Sequence, residues 1–98
     1  MQKDVLLFSV QIKAGRTLLG WSQADLAERA GVARPTVARI ELQTMQPRLD
    51  TASKLKQVLR DAGVEIVDHN EKGGFSLVVT SAFVDHLVST VNKEPIAT

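Results

Sequence analysis

Residues Ser22 to Glu41 read SQADLAERAGVARPTVARIE, and the chemistry lies in the second half of that stretch. With Val37 and Ile40 turned inward, a repeat of 3.6 residues turns Pro35, Ala38 and Arg39 outward, flanked at the N-terminal end by Arg34 and Thr36. That outward face has nothing of its own to pack on. An arginine guanidinium is a permanent cation with a planar fork of donors, so its chemistry is the recognition of paired acceptors. Catalysis has no comparable candidate. No nucleophile has a visible base partner, and a chain without cysteine has no disulfide framework, thiol nucleophile or thiolate metal site. His69 and His86 each follow an aspartate, but one falls in a loop and the other on a helix; both are expected to be ordinary surface residues, with no metal and no cofactor.

The elements that must position these residues follow from apolar periodicity. From Asp4 to Leu19, the residues Leu6, Leu7, Val10, Ala14 and Leu18 recur at helical spacing, and Gly20 stops the helix. Ser22 is a suitable N-cap for a second helix, Gln23 to Ala30, with Leu26, Ala27 and Ala30 inward and Gly31 at its left-handed terminus. Pro35 suits the first turn of a third helix, where a missing N–H costs no bond. Thr44 to Pro47 interrupts the pattern, and Asp50 is expected to cap a fourth helix with Leu55, Val58, Leu59 and Ala62 inward, ended by Gly63. The period then changes to two. Val64 and Ile66, then Phe75, Leu77 and Val79, alternate around the loop His69 to Gly74, which predicts a β-hairpin with Val67 and Val78 on its other face. Ser81 is placed as the cap of a last helix, Ala82 to Asn92, with Phe83, Val84, Leu87, Val88 and Val91 on one side.

Within Ser22 to Glu41 the spacing meets the demands of a helix-turn-helix. Leu26, Ala30, Val32, Val37 and Ile40 lock two helices together, Ala27 is small where the second helix passes close by, and Gly31 suits the sharp turn. The run LLGWSQADLAERAGVARPTVARIE, followed by a loop, a proline and a further helix, resembles the Cro/CI (XRE-type) family of DNA-binding domains over about Val10 to Ala62. The resemblance implies a mostly α, lambda-repressor-like domain of four to five helices, followed here by the hairpin and the final helix. It also implies double-stranded DNA as partner. An arginine fork matches the major-groove acceptors of guanine, and recognition helices read with their N-terminal residues, so Arg34, Pro35, Thr36 and Arg39 are the candidate base contacts. Gln23 resembles the family glutamine that binds phosphate at a helix N-terminus; Ser22, Gln43, Thr44 and Arg48 are further phosphate candidates. The family pairs an arginine of the first helix with the glutamate ending the third, which implies a mostly buried ion pair between Arg16 and Glu41. Leu42 and Gln43 stand where the family loop often begins Asn-Gly.

Charge distribution agrees with a polyanionic partner, although the net charge is only +1. Residues 1–48 hold seven basic against four acidic side chains, and residues 49–98 five against seven, which places the basic character with the helix-turn-helix. No apolar run approaches the roughly 20 residues of a membrane helix, and the cysteine-free composition suits the cytoplasm. The expected organisation is a DNA-binding domain over 1–63, a dimerisation extension over 64–93 and a flexible tail over 94–98. Val67, Val78, Phe83, Leu87, Val88 and Val91 are the candidate dimer contacts. The expected function is a homodimeric repressor, resembling compact phage or prophage repressors, on a pseudo-palindromic operator. An antitoxin that holds a toxin protein and represses its own operon is the alternative. An activator touching RNA polymerase through Asp25 and Glu28 is a third reading.

Overall fold

A computed structural model describes residues 3–69, 71 and 73–92. Helices α1 (Lys3–Leu18), α2 (Gln23–Ala30), α3 (Arg34–Glu41) and α4 (Leu49–Asp61) precede strands β1 (Val64–His69) and β2 (Gly74–Val79), and helix α5 (Ser81–Asn92) closes the order. This is the expected sequence of elements. Leu26, Ala27 and Ala30 of α2, Val37 and Ile40 of α3, and Leu55 and Leu59 of α4 meet in one buried cluster, as their periodicity predicts. Trp21 joins the same cluster from the turn before α2.

Helix α1 is rotated from its expected face. Phe8 and Ile12 are the apolar residues it sends into the core, joined by Leu19 just past its end, whereas Leu6, Val10 and Leu18 remain 38, 49 and 44% exposed. The reason lies in what packs beside it. Apolar residues surround most of α1, so periodicity permits more than one inward face, and the choice falls to the side that can approach α4 closely. Gly15 is on that side, where a Cβ would come within 3.0 Å of Leu59 Cδ1. Two polar residues are buried with it and satisfied across the fold. The Ser9 hydroxyl donates to the Glu41 carbonyl (2.9 Å), and Gln11 Nε2 donates to Asp68 Oδ1 (2.7 Å).

The strands pair antiparallel with Val64 opposite Val79, Ile66 opposite Leu77 and Asp68 opposite Phe75. Directly opposed residues share a face, so Val64, Ile66 and Leu77 cover the helices while Val67 and Val78 point to the other side. His69 and Gly74, expected in the loop, are the last paired residues of the ladder. Two helix starts also differ from expectation. Arg48, not Asp50, is the N-cap of α4 and makes no side-chain capping bond, leaving Asp50 in the first turn; Ser81 lies inside α5 at its first position.

Phe83 is a clear correction to the expected dimer contacts. It is 9% exposed and belongs to the core of its own chain. Gly63, at φ +100°, turns the backbone so closely against α5 that a Cβ there would lie 2.0 Å from the Phe83 nitrogen. The Thr80 N–H donates to the Gly63 carbonyl (2.9 Å), fixing the start of α5 to the end of α4. The side chain of Val91 and the tail over 94–98 lie outside the described residues.

Candidate nucleic-acid interface

Local chemistry sets the helix-turn-helix before any long-range contact is needed. Ser22 and Asp25 form a reciprocal capping box: the Asp25 N–H donates to Ser22 Oγ (3.0 Å) and the Ser22 N–H to Asp25 Oδ2 (2.9 Å). The Ser22 backbone N–H, and after it the Ser22 hydroxyl, hold the Asp25 carboxyl below the usual carboxylate range. Helix α2 ends at Gly31, which is left-handed at φ +69° and donates back to the carbonyls of Ala27 and Glu28. Helix α3 starts with Pro35 in its first turn and no side-chain cap, since Ala33 has none to offer.

The end of α3 carries Leu42 and Gln43 where the resembled family's loop often begins Asn-Gly. Gln43 adopts φ +63°, a conformation that glycine or asparagine takes more readily. The Thr44 N–H reaches the Arg39 carbonyl (3.0 Å) and the Gln43 N–H the Ile40 carbonyl (3.1 Å), the two bonds of a Schellman terminus. Thr44 Oγ1 adds a second donor to Arg39 (3.2 Å). Gln43→Gly is therefore expected to stabilise the fold by about 1 kcal/mol, measured as a higher midpoint of urea unfolding at unchanged slope. A loss of stability would mean that the glutamine side chain contributes more than its backbone strain costs.

Glu41 ties the recognition helix to the rest of the domain. Its carboxylate receives Arg16 Nε at Oε2 (2.7 Å) and Arg16 Nη2 at Oε1 (2.8 Å), a bidentate pair whose side chains are 15 and 4% exposed. Arg16 Nη1 goes on to the Trp21 carbonyl (2.8 Å), and Gln23 Nε2 donates to Glu41 Oε1 (3.2 Å). The hydrogen bond to Glu41, opposed in part by burial, raises the already high pKa of Arg16, so the guanidinium keeps its charge. Helix α1, the turn before α2 and the end of α3 are thus joined through one carboxylate.

The arginines of the first half now separate by environment. Arg16 is in the buried pair, Arg29 lies 4.4 Å over the Trp21 ring, and Arg48 makes a loose 3.5 Å contact with Asp50. Arg34 and Arg39 are exposed and meet no hydrogen-bond or ion-pair partner among the described residues. Pro35 is exposed beside them and Thr36 half-buried, so the four candidate base contacts lie on the first two turns of one helix. Ser22 and Gln23 sit at the start of α2 and Gln43, Thr44 and Arg48 beyond the end of α3, so the phosphate candidates lie before and after the recognition helix in the chain.

Ser9 and Gln11 were not among the expected functional residues. A polar residue inside an apolar helical run is the only signal they leave in the sequence. His86 corrects another expectation: it is half-buried, with its ring edge-on to Trp21 at 6.0 Å between centroids. His69 is exposed and hydrogen-bonded to the Ser76 hydroxyl. Among the described residues no cluster of three or more His, Cys, Asp or Glu is placed to hold a metal ion, and no helix is long and apolar enough to cross a membrane.

A capped helix, a left-handed glycine turn and a second helix with two exposed arginines that meet no partner among the described residues make up a helix-turn-helix DNA-binding domain. A family model described as Helix-turn-helix matches residues 12–60, half of the chain. The protein belongs to the Cro/CI (XRE-type) helix-turn-helix family and is a DNA-binding transcription regulator. A comparison with curated proteins finds no match.

Proposed function

We propose that the protein is a repressor that binds a pseudo-palindromic operator as a homodimer, reading the major groove with Arg34, Pro35, Thr36 and Arg39. The observation that carries this reading is the pair of exposed arginines, Arg34 and Arg39, which have no partner among the described residues. A guanidinium without an internal acceptor can give both fork donors to guanine O6 and N7. Ser22, Gln23, Gln43, Thr44 and Arg48 then hold the backbone on either side and set the register. Two such headpieces, about 34 Å apart on one face of the duplex, combine binding that a single small headpiece lacks.

Arg39→Ala tests the base contact. Against an operator obtained by selection from random duplexes, the substitution is expected to weaken binding by about 1–3 kcal/mol, roughly 5- to 150-fold, at constant salt. Binding to random-sequence duplex should change little. An equal loss on both duplexes would reassign Arg39 to the phosphate backbone.

The second reading is an antitoxin, favoured by one observation. Val84, Leu87 and Val88 of α5 are 55, 44 and 50% exposed, an apolar row open to another protein. Under that reading the purified chain stays monomeric until its partner is added.

A further inference from the structure

The apolar surface that the helix-turn-helix does not use has two forms, a groove and a ridge. The groove belongs to α1. Val10, Ala14 and Leu18 follow one another at intervals of four and, with Leu77 of β2, line a groove of about 590 Å³ that has Lys13 in its wall. Leu77 shares its sheet face with Val79, itself 47% exposed, so the apolar strip continues along β2 to the point where α5 begins. The ridge is α5. Phe83 against Gly63 and His86 against Trp21 fix one side of that helix to its own chain. Val84, Leu87 and Val88, at i, i+3 and i+4, are left on an adjoining side, open to solvent.

We infer that two copies of this chain exchange ridges: the Val84, Leu87 and Val88 face of each α5 lies in the α1–β2 groove of the other. The inference rests on the homodimer reading above and names its surface. A ridge and a groove on one protomer form a self-complementary patch, which a two-fold axis requires. The extent of the patch fits. Seven large side chains on α1, β2 and α5 (Leu6, Val10, Leu18, Val79, Val84, Leu87 and Val88), each 38–55% exposed, leave on the order of 500 Å² of apolar surface. That is at the upper end of what a monomer ordinarily shows, and with a polar rim it approaches the roughly 800 Å² per partner of a standard interface. Charge agrees as well. Asp85 is the one acidic residue of α5, which has no Lys or Arg; Lys13 in the groove is exposed with no ion-pair partner among the described residues, and Glu41, also in the groove wall, is paired with Arg16. Of the six side chains expected at the interface, Leu87 and Val88 are kept, and the α1 groove is the half that the sequence does not indicate.

The chain has no cysteine, so introduced thiols report the interface directly. Sedimentation equilibrium of the full chain should give a dimer. A mixture of the single variants Val10→Cys and Leu87→Cys should form a linked dimer under mild oxidation, while neither variant does so alone. Val10→Glu, at a half-exposed position, should keep the circular dichroism of the folded chain and raise the dimer dissociation constant at least about 100-fold. Leu87→Cys linking to itself would overturn the exchange in favour of α5 packing on α5. A dimeric chain with no linkage in the mixture and no effect of Val10→Glu would overturn the surface and leave the homodimer reading intact. A monomeric wild type would overturn both and leave the groove and ridge to a different protein.

Discussion

Glu41→Ala is expected to lower the free energy of unfolding by about 3–5 kcal/mol, a large share of the roughly 5–15 kcal/mol typical of a domain. The substitution leaves the Arg16 guanidinium, on a side chain only 15% exposed, without acceptors for Nε and Nη2. An uncompensated cation in that position costs far more than the intact pair contributes. The Gln23 amide loses its acceptor at the same time. Urea unfolding followed by the fluorescence of Trp21, the one tryptophan of the chain, measures the loss. Replacing both partners, Arg16→Met with Glu41→Leu, is expected to be less damaging than Glu41→Ala alone, because no buried charge is left behind. A Glu41→Ala loss below about 1 kcal/mol would place the pair with ordinary surface salt bridges. DNA affinity of the folded variant should fall too, since α3 loses the link that ties its C-terminal end to α1 and α2.

Gly63→Ala is the second large effect, expected at about 3 kcal/mol or more. Two costs combine. A side chain at φ +100° is strained whatever space surrounds it, at about 1–3 kcal/mol, and overpacking adds about 1–3 kcal/mol. The overlap here is with backbone, since the added Cβ would sit 2.0 Å from the Phe83 nitrogen and 2.5 Å from its Cα. No rotamer relieves that contact. The helix must move away, drawing Phe83 from the core and His86 from the Trp21 ring. The expected result is a lower unfolding midpoint together with a red shift of Trp21 emission in the native baseline. Wild-type stability with unchanged emission would show that α5 is not held against Gly63 in solution. Loss of dimer in this variant, if the exchange of α5 holds, follows from the displacement of the ridge.

The helix-turn-helix was legible because its determinants act over a few residues. Ser22 caps Asp25 three positions on, Gly31 ends α2 on its own carbonyls, and Val37 and Ile40 face inward by the turn of one helix. Such features repeat wherever the same local chemistry repeats, and they suffice to turn Pro35 and Arg39 outward with Arg34 and Thr36 flanking them. The order of elements, including the change from helix to hairpin after Gly63, came from periodicity in the same way. Where two segments distant in sequence had to choose each other, local pattern had nothing to say. The inward face of α1 depended on Gly15 admitting Leu59 and on Gln11 finding Asp68, 57 positions away. Phe83 looked like interface because α5 is apolar on several sides, and only the approach of Gly63 assigned it to the core. The left-handed turn at Gln43 lacks the glycine or asparagine that signals it, and it follows a helix end that long-range bonds from Arg16 and Ser9 hold at Glu41. Periodicity and capping are properties of one segment. Which face is buried is a property of the segment that covers it, and that is decided by packing.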